Sequence, residues 1–502
     1  MRVDRRTFLL GALAAAGAGV GAVAGARVLF DDDDRDGAPP TRRYGDVSLR
    51  QAAASDRPPV LFVSLDDCND WLGYLNDHPG THTPNIDALA ATSLSFAQAY
   101  CSVPQCIPSR ASLLFGRAPY HTGVYDHSDE SRERQTAFAR VTPALTDAFW
   151  AAGYDTYGSG KVFHPYEPAR WTDYKATTHY ASAWANSDEP ERWDPEWLSP
   201  YDGRPIGDGR RFRRRVIDFG PSGRDPADEA DGIATEWVRA RLRERTSRPL
   251  FLALGFQLPH EPWRLPQRYF DLHPIDEVVV PEARPGDLDD LGPYATGEIV
   301  HRRTYERMYE AGVVPGLVQA YQAAISFVDD RLGIVLEELA ASPYADEMIV
   351  VLWSDHGYHL GEKLHLEKYT LWERGTHVPF LLRVPGRFDR GDRFERPVSL
   401  LDLGPTLADL CDVELDPGHE GRSLLPATAD PPLADDRPAI MTWQRGNHAV
   451  RRGAWRYIRY RTGERELYDR SSDPDELTNL AALADYRDVV ADLDRFVPTD
   501  DA

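Results

Sequence analysis

Five short apolar runs constrain this chain more than any other feature, because each is followed closely by polar residues and helical patterns lie between them. The first, in "RPPVLFVSLDD", is continuously apolar over 60–63 and closes on Asp66 and Asp67. Bounded by prolines and acids, it has the pattern of a buried strand. A second run near Tyr154 leads into "GSGKVFH". The others lie in "RPLFLALGFQLPHEPW", "DEMIVVLWSDHG" and "HVPFLLRVPG". Between them, "TPNIDALAATSLSF" puts Ile86, Leu89, Ala90 and Leu94 on one helical face, with Pro84 near its start. Further helices are expected over about 142–152, in "VQAYQAAISFVDDRLGIVLEELAAS" and in "LLDLGPTLADLC". Strands alternating with helices predict an α/β fold with a sheet covered on both faces.

The polar residues share one position in that pattern. Asp66–Asp67, His164, His260 and Asp355–His356 each follow a predicted strand. If those strands are parallel, all four groups lie on one sheet edge, where open α/β sheets bind their ligands. A single Asp or His after a strand is ordinarily a turn residue or helix cap, so the argument rests on the set. Lysine sharpens it. The chain uses lysine only at Lys161, Lys175, Lys363 and Lys368. Lys161 lies three residues before His164, and Lys368 a short way past His356. Unlike arginine, lysine can give up its proton when its pKa is lowered. Asp66, Asp67 and Asp355 offer hard oxygen ligands suited to calcium or magnesium. With no CxxC pair and no HExxH motif, zinc is disfavoured. The net charge of -23 argues against nucleic acid as a partner.

The ends of the chain differ from its middle. Residues 1–26 carry Arg5–Arg6, an Ala/Gly-rich run and an A-x-A site at Ala24–Ala26, which resembles a twin-arginine export signal. A retained membrane anchor is the other reading of that run. Residues 27–56, with "DDDDRDGAPP", are expected to be an acidic solvated linker. Residues 57–429 form the expected catalytic domain. Over 430–502, "PAIMTW", "HAVRR", "WRYIRY" and "RELYD" predict a small antiparallel sheet with a helical tail. Export permits disulfides, so Cys101 could pair with Cys106, and Cys68 with Cys411; sequence does not give connectivity.

The segment "CIPSR", Cys106 to Arg110, followed by "ASLLFGR", resembles the C-x-P-S-R-x-x-x-x-T-G-R signature of type I sulfatases. "VSLDDCND", "TPNIDALA", "GSGKVFH", "QLPHEPW", "WSDHGYHLGEKLHLEKYT", "THVPFLLRVPG" and "ELYDRSSDPDELTNLAAL" extend the resemblance over nearly the whole mature chain. The "GKVFH" and "SDHG" forms are most similar to the iduronate-2-sulfatase branch and its bacterial relatives. The resemblance implies an alkaline-phosphatase-like large mixed sheet with a smaller C-terminal α+β part. It implies conversion of Cys106 to formylglycine by a formylglycine-generating enzyme. It implies calcium, rather than magnesium, held by Asp66, Asp67, Asp355 and His356 with the modified Cys106. Arg110 and Lys161 would hold the formylglycine, His164 would serve its hydrate, and His260 and Lys368 would bind sulfate and meet the leaving oxygen. The expected substrate is a sulfated saccharide or another small sulfate ester.

Two departures from the signature stand out. Phe115 occupies the usual Thr position, and Cys68 follows the two aspartates where relatives often have Leu. Trp263 and Arg264 could touch a sugar and its acid group, or pack as a surface loop. Two other functions remain open to the sequence. One is a phosphonate or phosphate ester hydrolase on the same fold. The other is a non-catalytic glycan-binding protein with an unmodified Cys106.

Overall fold

The computed structural model describes residues 40–75, 78–164, 167–177, 219–284, 286–428, 436–499 and 501–502. The export-signal expectation and the boundary expected near 430 lie outside these residues.

In chain order the main elements are β1 (Thr41–Tyr44), β2 (Val47–Arg50), β3 (Val60–Asp66), α1 (Pro84–Ala90), β4 (Leu94–Phe96), α2 (Cys106–Phe115), α3 (Asp129–Ala139), α4 (Leu145–Ala151), β5 (Asp155–Gly160), β6 (Asp173–Lys175), α5 (Ala230–Leu242) and β7 (Leu250–Pro259). There follow α6 (Val314–Ala340), β8 (Ile349–Ser354), β9 (Phe380–Arg383), β10 (Arg393–Phe394), α7 (Leu403–Cys411), then β11 (Ala439–Thr442), β12 (His448–Arg452), β13 (Trp455–Arg459), β14 (Arg465–Asp469) and α8 (Arg487–Asp494).

Eight strands form one mixed sheet in the order β10-β4-β9-β8-β3-β7-β5-β6. The five from β8 to β6 are parallel, whereas β9 runs antiparallel to both β8 and β4. The predicted alternation of strands and helices is thus present, with a mixed edge. Register brings the strand ends level. Leu65 pairs with Ser354, Asp66 with Pro259, and Gly160 with Gly255. Asp66, Asp355, His260 and Lys161 therefore leave the sheet side by side.

Side chains alternate across the sheet, as the period of two requires. Leu61, Val63, Leu252, Leu254, Val350 and Leu352 face a core closed by α5 and α6. Phe62, Phe251, Ala253, Val351 and Trp353 face the opposite core, which includes Leu113 of α2, Phe149 of α4 and Leu407 of α7. Fully burying an aliphatic or aromatic side chain of this size contributes about 1.5–3 kcal/mol, so the two cores fix the sheet edge rigidly.

The C-terminal strands β11 to β14 make a four-stranded antiparallel sheet of their own. Arg456 of β13 ties it to the larger sheet's loops. Its guanidinium, fully buried, donates to the Leu371 carbonyl at 2.6 Å and pairs with Glu373 and, at 2.7 Å, with Glu476.

Part of the expected linker is structured instead. β1 and β2 form a hairpin. Its buried Tyr44 hydroxyl donates to Asp147 at 2.5 Å, and Arg42 donates to the same carboxylate at 3.1 Å. The alternation of Arg42 and Tyr44 toward the core was hidden by their polarity. All four cysteines are free and buried, so neither pairing left open by the sequence is formed.

Candidate active site

The strand ends deliver the acidic groups. Asp66 closes β3, and Asp67 follows with φ of 63°, a left-handed turn that Asp tolerates better than most residues. That turn is held by α6, whose Tyr321 hydroxyl donates to the Asp67 carbonyl at 2.7 Å. Asp355 follows β8; its Oδ1 accepts the Asp67 N–H at 3.1 Å and the His356 N–H at 3.0 Å. Asp66, Asp67, Asp355 and His356 are all fully buried.

Helix α2 presents the next group. Cys106 opens it, and Gly116 ends it in a left-handed conformation, φ 68°. Pro108 falls within the first turn, where its missing N–H costs nothing. Residues four apart share a helix face, so Arg110 lies beneath Cys106. Its Nε donates to Asp355 Oδ2 at 2.9 Å, and its NH2 lies 3.6 Å from Asp66 Oδ2. The remaining donors reach the carbonyls of Lys161 (2.6 Å) and Leu65 (2.9 Å). Ser109 donates to the Asp355 carbonyl at 2.5 Å.

Lys161 reaches the site because two glycines let the backbones touch. A Cβ on Gly255 would stand 2.1 Å from the Lys161 carbonyl carbon, and the Lys161 N–H donates to the Gly255 carbonyl at 2.7 Å. Its ammonium pairs with Asp66 Oδ2. From the other side, Lys368 Nζ lies 2.5 Å from Asp67 Oδ1 and 3.3 Å from Cys106 Sγ.

Cys106 thus sits in a tight ring. Its sulfur is 3.4 Å from Asp66 Oδ1, 4.0 Å from Asp67 Oδ1 and 3.3 Å from His356 Nε2. His356 donates from Nδ1 to the Gly357 carbonyl at 3.0 Å, which turns Nε2 toward the carboxylates. His260 Nε2 is 3.8 Å from Asp67 Oδ2, and its Nδ1 donates to the Glu261 carbonyl at 2.5 Å. His164 is half-buried beside Cys106, and its Nδ1 is a buried atom with no hydrogen-bond partner among the described residues. The ten residues named from the sequence lie together at this one centre.

Burial and the neighbouring cations pull the titratable groups of the centre in opposite directions. Burial raises Asp67 to about 6, despite His260, Lys368 and His356 nearby, and its buried Oδ2 accepts no hydrogen bond from the described residues. Burial and Cys106 push Asp66 up, but Lys161 and Arg110 hold it below the ordinary carboxylate range. Burial would also raise the Cys106 thiol; Lys161, Lys368 and His356 outweigh it and hold the thiol well below its usual value. Three buried carboxylates and an imidazole nitrogen converge here. This donor set fits a hard divalent cation.

Sequence reasoning missed several supporting residues. His127 lies beside Cys106 and His164, with ligand atoms of all three within 4.8 Å of one another. Asp231, at the start of α5, accepts the N–H groups of Gln257 (2.9 Å) and Leu258 (3.0 Å), just before His260. No local pattern announces either residue; only the fold brings them in. For Trp263 the structure selects the packed alternative. It is fully buried and donates to the Pro259 carbonyl at 2.5 Å, so it packs beneath the His260 turn and offers no face to a sugar.

Comparison with known proteins agrees with this architecture. The family model described as Sulfatase matches residues 58–413, and that described as N-sulphoglucosamine sulphohydrolase, C-terminal, matches residues 361–499. A sulfatase of Formosa agariphila is 34% identical over 453 residues, covering 89% of this chain and 87% of its own. Human iduronate 2-sulfatase is 29% identical, covering 73% and 71%. Among solved structures, the phosphonate monoester hydrolase of Agrobacterium radiobacter superposes with a TM-score of 0.68 at 21% identity, covering 88% of this chain and 94% of that one. The large mixed sheet with its C-terminal antiparallel sheet is the alkaline-phosphatase-like fold.

Proposed function

The chain belongs to the sulfatase family and is a sulfuric ester hydrolase; from that premise we propose that it releases sulfate from a sulfated carbohydrate, using a formylglycine made from Cys106 beside a bound calcium ion. The observation that carries the reading is the ring around Cys106, whose sulfur lies 3.4 Å from Asp66 Oδ1 in a nest of buried carboxylates. A hydrated aldehyde there would supply the nucleophile, and the cation would polarise the sulfuryl oxygens.

The residues divide the remaining work. Asp66, Asp67, Asp355 and His356 would hold the cation, with calcium favoured over magnesium because the site offers several hard ligands in an irregular arrangement. Arg110 neutralises the carboxylates from below and fixes the first turn of α2. Lys161 and Lys368 place positive charge on either side of position 106, where charge on the transferring group is stabilised. His260 suits the leaving oxygen better than Lys368. Its side chain keeps 21% exposure on the open side, against 3% for Lys368, which is committed to Asp67. Although burial opposes it, the Asp67 carboxylate raises the His260 pKa, a shift toward the protonated form that a general acid needs.

Position 354–356, "SDH", and the relation to iduronate 2-sulfatase support a uronic acid 2-sulfate as the first substrate to try. The Arg5–Arg6 segment supports export by the twin-arginine machinery. The test is to co-produce the chain with a formylglycine-generating enzyme, weigh the Cys106 peptide, and assay defined sulfated saccharides alongside aryl sulfate and aryl phosphate esters. The reading expects an aldehyde at position 106 and sulfate release. A retained thiol in active protein, or phosphate ester cleavage exceeding sulfate ester cleavage, would overturn it.

A further inference from the structure

Cys106 has two unlike sides. One is crowded with charge: Asp66 at 3.4 Å, His356 at 3.3 Å and Lys368 at 3.3 Å. The other is walled by the imidazoles of His127 and His164, whose rings meet edge-on with centroids 5.5 Å apart. We propose that His127 is a further catalytic residue: paired with His164, it hydrogen-bonds the hydroxyl of the hydrated formylglycine that points away from the cation, and keeps that group hydrated and oriented.

The placement is built. His127 Nε2 accepts the Ile107 N–H at 3.2 Å, which pins the ring against the first turn of α2, one residue past Cys106. Ser128 caps α3 directly after it, its hydroxyl accepting the Ser131 N–H at 3.2 Å. From α3, Gln135 Nε2 donates to the His164 carbonyl at 2.9 Å, so one short helix holds both histidine-bearing segments in register. The preceding Tyr125 is also fixed, its N–H donating to Ser131 Oγ at 3.2 Å and its hydroxyl to Asp501 at 3.0 Å. His127 and His164 are each half-buried, and the buried Nδ1 of His164 has no hydrogen-bond partner among the described residues. A hydrate carries two hydroxyls on one carbon. With one toward the carboxylate side, tetrahedral geometry sends the other toward this imidazole wall.

The inference rests on the formylglycine reading, and its test separates the two. Matured parent, His127→Ala and His127→Asn are compared; Asn can still accept the Ile107 N–H. The first readout is capture of the aldehyde by an aminooxy probe in folded, calcium-loaded protein without substrate. Losing one hydrogen bond to the hydrate should speed capture about fivefold in both variants. The second is turnover, with kcat expected to fall about 10²-fold in both, while calcium affinity stays at the parent value. Parental capture rates and kcat in both variants would overturn the proposal, and so would a parental His127→Asn beside an impaired His127→Ala, which would leave His127 as the Ile107 partner alone. A parent that shows a thiol instead of an aldehyde after co-production would defeat the formylglycine reading itself, and this inference with it.

Discussion

Arg110 and Asp355 meet at 2.9 Å where neither side chain reaches water. Asp66 shares the same guanidinium at 3.6 Å. Removing the cation of a buried pair strands its partners, which costs about 3–5 kcal/mol. Arg110→Met, which preserves bulk, should lower stability by that amount in the calcium-free protein, read as a shift of the denaturant midpoint. Added calcium should recover part of the loss, because it neutralises the same carboxylates.

His356 couples the cation to pH. Burial pulls its pKa down, but Asp355, Cys106 and Asp67 together outweigh burial and the ring is held up to about 9. Without the cation the ring is therefore protonated at neutral pH, whereas a metal ligand must be neutral. The sign follows: calcium binding expels a proton below pH 9, and affinity weakens as pH falls. Titration calorimetry between pH 6.5 and 8.5 should show about a tenfold weaker Kd per unit of acidification. His356→Asn should flatten that slope, since an amide has no proton to lose.

Asp231 never touches the reacting atoms, yet it accepts the two N–H groups that lead into His260. Asp231→Asn keeps one acceptor and turns an NH2 toward the second N–H. The His260 turn should move, and kcat should fall about 10²-fold. Aldehyde content and calcium affinity should be unchanged, which distinguishes a misplaced His260 from general collapse.

Phe115 is a core residue at a position where the signature usually carries Thr. It is buried against Phe138 and Phe163, with the Arg170 guanidinium 4.9 Å from its ring centroid. Phe115→Thr should cost about 3 kcal/mol or more through the cavity it leaves, visible as a lower melting temperature. Peptide mass should show a higher aldehyde yield, as expected from a sequence closer to the family signature.

The parts legible in the sequence are those written by local periodicity. Short continuous apolar runs located β3, β7 and β8, so the residues at or just past their ends, Asp66, His260 and Asp355, could be placed on one edge from the sequence. Cys106 and Arg110 were readable only through the resemblance of "CIPSR" to the sulfatase signature; their four-residue spacing puts them on one face of α2. What stayed hidden depends on distant partners. His127 sits on a loop and reaches Cys106 only after α2 and α3 pack. Tyr321 lies within a helix whose pattern speaks of burial, and its hydroxyl gives no hint that it holds Asp67. Arg42 and Tyr44 looked like linker residues because the charge that buries them, Asp147, lies more than 100 positions away. Trp263 stayed open for the same reason: an aromatic next to a candidate site suits a sugar platform or a packed loop, and only packing selects the second.

Three of the four lysines are buried, two of them inside the catalytic ring, and Lys175 alone is exposed. For anyone attaching this enzyme to a resin or a dye, amine chemistry therefore meets one accessible side chain at the far edge strand of the sheet, beside whatever terminus the mature chain carries. Coupling through it would hold the molecules in a narrow set of orientations, because Lys175 stands level with Ser159 at the end of its strand.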